Sequence, residues 1–237
     1  MLRRAILLSL VLASLDSAIH ATAGESAGMA AVMQSAMASL RTAASYGRTG
    51  NIALAQIELD DARRAWTALG LIRDQPAPYS AQSLKELLTE GDERLRKADA
   101  SLSAGDGTTA TADIAAVRQA LHVLRRQAGV VELGDCVVEL GPAMDKLRHV
   151  AADFAAARAT AAQVNEAGEA LRAQLQRCDG LAAPDVAGQA EFRRLIDGAT
   201  TSAQNIGRAA HDGDTGLVHR YEIELQSFVN LLDFRFG

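Results

Sequence analysis

The sequence predicts an all-α fold, on three observations. Apolar residues recur at steps of three and four along most of the chain. Glycine followed by Asn or Asp punctuates those stripes at Gly50-Asn51, Gly105-Asp106 and Gly213-Asp214. Alanine supplies 48 of the 237 residues, against four prolines and 4% aromatics, a balance that favours helix over strand. The expected architecture is antiparallel helical hairpins, about six or seven helices in one elongated bundle or two packed bundles. The apolar fraction of 49% is ordinary for a folded chain of this length and excludes disorder.

The first element reads as a leader. Arg3 and Arg4 form a positive start, and Ala5 to Leu15 an apolar stretch too short to span a bilayer. Ala21-Thr22-Ala23 then fits an A-x-A cleavage site. A signal peptide over residues 1–23 is expected, and with it a mature protein in the periplasm. Losing Arg3, Arg4 and Asp16 takes the formal charge from −5 to −6. Nothing later offers about 18 uninterrupted apolar residues, so no membrane-spanning segment is expected. A pI near 5.6 speaks against nucleic acid as a partner, which needs a basic face.

The helical elements follow in order. Ile52, Ala55, Leu59, Ala62, Trp66 and Leu69 make one stripe, and Leu84, Leu87, Gly91, Leu95, Ala98 and Leu102 the next. Ile114, Val117, Leu121 and Leu124 follow. A further stripe runs from Leu140, Met144, Leu147, Ala151 and Phe154 toward Leu171, Leu175 and Cys178. Val218, Tyr221, Leu225, Phe228 and Leu232 close the chain. Each is the single apolar face of an amphipathic helix. A glycine in the left-handed region with Asn or Asp as the next N-cap makes the intervening turns tight.

The hairpins look related. Thr49-Gly50 precedes Ile57-Glu58-Leu59 as Thr215-Gly216 precedes Ile223-Glu224-Leu225, an offset of 166 residues. A second match, at offset 55, places Gly50 on Gly105 and Leu59 on Ile114. A repeated helical unit is implied. The units expected are 24–127 and 142–237, joined by a linking segment over 128–141.

From Pro142 to Cys178 the pattern reads as one helix, about 55 Å long at 1.5 Å per residue. Cys136 and Cys178 then stand at opposite ends, and a disulfide needs Cα atoms within about 7 Å. Two buried, unbridged thiols are expected, since a bridge demands a sharp reversal at Asn165 or Gly168. Cys178 at a helix C-terminus is disfavoured as a thiolate by the helix dipole and reads as structural.

Candidate ligands are few. Met29, Met33 and Met37 recur every four residues and stack along one helix side. In an oxidising compartment thioethers suit copper(I), and with a histidine they suit a non-covalent haem. The favoured reading is a core, because methionine adapts to irregular gaps and Met33 shares the core stripe with Leu40. His211, Asp212, Asp214, His219 and Glu222 gather at the last turn, where His219 and Glu222 share a helix face as a metal pair would. Asp214 there also serves as an N-cap. Glu58 and Glu224 occupy matching repeat positions, with Asp113 in the weaker copy. They suit cation or acid–base work, but a solvated flank or an ion pair with Arg63 or Arg220 is the favoured expectation.

No G-x-S-x-G, H-E-x-x-H, P-loop or G-x-G-x-x-G occurs, and no C-x-x-C-H for attached haem. Enzymatic activity is therefore not expected. The run Gly216-Leu-Val-His219-Arg-Tyr-Glu222 resembles, one residue out of register, the GxHxxE motif of the imelysin-like family. That family consists of exported helical proteins linked to iron. The blocks Glu191–Gly198 and Tyr221–Gly237 resemble the ends of uncharacterised exported all-helical bacterial proteins, to which no activity is attached. The reading is a non-enzymatic periplasmic helical-bundle protein that binds or interacts with a protein partner. The alternative is a binder of copper, iron or non-covalent haem, with Met29, Met33, Met37, His219 and Glu222 as ligands.

Overall fold

A computed structural model describes residues 28–74 and 77–237. The expected leader and its cleavage site lie outside the described residues. Every regular element within them is helical, and the all-α fold holds. In order these are α1 (28–48), α2 (Ile52–Leu71), α3 (Ala81–Ser103), α4 (Gly107–Gln127), α5 (Leu133–Val138), α6 (Leu140–Ala155), α7 (Ala161–Leu181), α8 (Pro184–Ala187), α9 (Ala190–His211) and α10 (Thr215–Phe236). That is more helices than the six or seven expected. The chain divides into two compact units at Gly129–Val130.

In the first unit, α2 packs on α3 and α3 on α4. The start of α4 meets the end of α1, where the Thr111 hydroxyl donates to the Ala44 carbonyl at 3.4 Å. Gly47 and Gly107 face each other at this crossing, and a Cβ on Gly107 would lie 2.6 Å from the Gly47 carbonyl oxygen. The core holds Leu40, Leu59, Leu69, Leu84, Leu95, Leu102, Ile114 and Leu121 among others.

The second unit is a closed ring of four helices: α6 on α7, α7 on α9, α9 on α10 and α10 back on α6. Short α5 lies against α7 and α10. Val164, Leu171, Leu175, Phe192, Ile196, Ile206, Leu225 and Leu232 fill its centre. Residues 130–141, expected to lie in a linking segment, belong to this unit. Cys136 and Val137 of α5 are in its core.

Three hairpin turns share one construction. Gly50, Gly105 and Gly213 have φ of 77°, 78° and 73°, in the left-handed region open to glycine. At each, the N–H of the following residue reaches back five residues, from Asn51 to Tyr46, Asp106 to Ser101 and Asp214 to Ala209. These are Schellman closures. The same Asn51, Asp106 and Asp214 then cap the next helix, accepting from the backbone N–H of Leu54, Thr109 and Leu217.

The burial pattern corrects the repeat register. After the turn glycine, buried residues fall at five, nine, twelve, sixteen and nineteen positions in α2, α4 and α10 alike. Before it, α1, α3 and α9 share buried positions three, seven, ten, fourteen and twenty-one residues back. The offset of 55 is in register. The longer offset is 163, from Gly50 to Gly213, and not 166. Amphipathic helices match themselves after a shift of one turn, so apolar periodicity alone accepts either value. In the true register Glu58 falls on Tyr221, and Glu58 and Glu224 are not equivalent.

The helix expected from Pro142 to Cys178 is broken at 156–160. Ala157 takes φ 56°, and Arg158 N–H reaches back to the Asp153 carbonyl at 2.7 Å. This is the fourth Schellman closure, with alanine where the others have glycine. Thr160 and Gln163 then form a reciprocal capping box that starts α7. The chain reverses here, ahead of Asn165 and Gly168.

Candidate functional site

That reversal brings the cysteines together. Cys136 and Cys178 form a disulfide with a Cα–Cα distance of 5.3 Å, so the expectation of two free thiols is wrong. The error was geometric, since a single straight helix would have held them far apart. The bridge ties α5 to the end of α7. Buried Gln174 supports the joint, its amide donating to the Cys136 carbonyl at 3.3 Å and to a Glu139 carboxylate oxygen at 3.1 Å.

The five candidate ligands separate into the two units. Met29, Met33 and Met37 are 2%, 0% and 8% exposed and belong to the first core cluster, Met29 on one of the buried positions that α1 shares with α3 and α9. Their thioethers are packed among aliphatic side chains, the arrangement that gap-filling methionines adopt. His219 and Glu222 stand in the second unit on α10, with His219 Nδ1 3.3 Å from a Glu222 carboxylate oxygen. His211, Asp212 and Asp214 are exposed around the turn. Among the described residues, no three His, Cys, Asp or Glu side chains gather as a group able to hold a metal.

Glu222 is the one of the five whose placement is unusual. It occupies the ninth position after the turn glycine, where α2 carries Leu59 and α4 carries Ile114, both fully buried. The Glu222 side chain is itself only 12% exposed, and its neighbour His219 sits in solvent. Sequence comparison at offset 166 hid this substitution by aligning Leu59 with Leu225. The correct register exposes it.

Several other carboxylates pair with arginines. Arg63 pairs with Asp99 at 3.0 Å and with Asp60 at 3.9 Å, and not with Glu58, which of the two plain alternatives leaves the solvated flank. Asp113 faces Arg94 at 3.6 Å. In the second unit Arg193 holds Asp179 through both terminal nitrogens and lies over the Phe192 ring. Exposed pairs of this kind contribute little each. On α4 a second face is buried and polar, with Arg118, His122 and Arg125 one turn apart.

Two surface features lie apart from the buried stripes. Leu54, Ile57 and Leu71 lie off the buried stripe of α2 and face solvent, Ile57 at 57% and Leu71 at 80% exposed. Their signal in the sequence is their misfit to the stripe. In the second unit an open groove of about 530 Å³ runs between the start of α7 and the end of α9, lined by Ala161, Ala162, Asn165, Gly207, Arg208, His211 and Asp212. No described helix is long and apolar enough to cross a membrane.

Comparison with protein-family models, with curated proteins and with solved structures found no match. The class that the structure itself defines is an all-α protein of paired, repeated hairpins.

Proposed function

We propose that this is an exported, non-enzymatic binding protein whose helix surface receives a protein partner. The observation that carries the reading is the outer face of α2, where Leu54 and Ile57 lie one turn apart with 38% and 57% of their surface in water. Adjacent exposed apolar side chains on one helix face offer a partner an apolar contact. Export is supported by the leader-like start of the chain and by the Cys136–Cys178 disulfide, which persists in oxidising compartments.

The test is a photo-reactive residue at position 57 in the protein expressed in its own cell, with position 97 on α3 as the control. Lys97 is exposed and lies within a helix of charged pairs. A discrete adduct from position 57 that is absent from position 97 is the expected result. Equal labelling from both, or none from either, overturns the reading. The mass of the same purified protein reports whether residues 1–23 have been removed.

A second reading rests on Glu222. A carboxylate at a position that is Leu59 and Ile114 in the sister hairpins, beside His219, supports a metal ligand pair on α10. Elemental analysis of protein purified without a chelating tag tests it. Near-stoichiometric copper or iron, lost on His219→Ala, supports this reading, and metal-free protein after both ions have been offered removes it.

A further inference from the structure

We draw no further inference here: the strongest candidate, the open groove between the start of α7 and the end of α9 lined by Asn165, Arg208, His211 and Asp212, carries nothing because all four polar side chains face solvent and nothing in the structure shows what would fill it.

Discussion

The indole of Trp66 occupies the space that a side chain at position 91 would need. A Cβ on Gly91 would sit 2.6 Å from Trp66 Cη2, and the indole Nε1 donates to the Leu88 carbonyl at 3.2 Å. The contact joins α2 of one hairpin to α3 of the next, and the glycine is what lets the ring approach the helix backbone.

Gly91→Ala is therefore expected to lower stability by about 1–3 kcal/mol in urea unfolding, although alanine is the better helix former. Gly70→Ala supplies the contrast, because nothing lies within 4 Å of its added methyl group. That change should be neutral or raise stability by up to about 1 kcal/mol. Equal effects at the two positions would contradict the packing described.

Ala157 sits in the left-handed region at φ 56° without the freedom of glycine. Ala157→Gly should stabilise the protein by about 1 kcal/mol, the cost of a Cβ in that conformation less the added chain entropy. A loss of stability would mean that α6 and α7 do not end and begin as described.

Glu222→Leu restores the residue type found at the matching positions of α2 and α4. It should raise the midpoint of urea unfolding by an amount equivalent to about 1–2 kcal/mol, since it removes a carboxylate from a mostly buried site and adds apolar contact. Destabilisation would show that the carboxylate has partners beyond His219.

Replacing both cysteines by serine removes a link between residues 42 apart in sequence. The chain-entropy cost of a loop of that length is about 4 kcal/mol, which sets the scale of the expected loss. Thermal unfolding of the double variant, followed by circular dichroism, should shift downward. A transition unchanged from that of the oxidised parent would contradict the bridge.

Asp106 has its carboxyl held below the ordinary aspartate range, first by the Thr109 hydroxyl and then by the Thr109 backbone N–H. A lowered folded-state value means that the stabilisation is complete above the unfolded value of about 3.9 and is lost as pH falls through the folded one. Asp106→Asn keeps a capping acceptor while removing this titration. Its stability should fall less steeply than the parent's as the pH is lowered from about 4. Parallel pH profiles would assign the acid sensitivity elsewhere.

The legible parts of the fold are those with a chemical marker. Gly50, Gly105 and Gly213 with their Asn or Asp partners announced three turns, and the stripes of α2, α3 and α4 matched the buried residues closely. The fourth turn carried no such marker. Ala155, Ala156 and Ala157 are as compatible with helix as any residues, so only the Thr160–Gln163 spacing signalled a new start. Missing that turn lengthened a helix, and the long helix in turn concealed the disulfide. Of the candidate site, His219 and Glu222 were visible as a pair. The anomaly of Glu222 needed the true repeat register, and Leu54 and Ile57 became distinctive only once burial was known.

The hairpin construction also shapes how the polypeptide reaches this state. Three helix pairs, α3 with α4, α6 with α7 and α9 with α10, are joined by a single tight turn, so their meeting requires only short loops to close, which costs little chain entropy. The contact of α10 with α6 is different, because α7, α8 and α9 lie between them in the chain. Closing the ring of the second unit thus needs a long stretch of chain to fold back, and a chain truncated before Thr215 would leave the apolar faces of α6 and α9 uncovered.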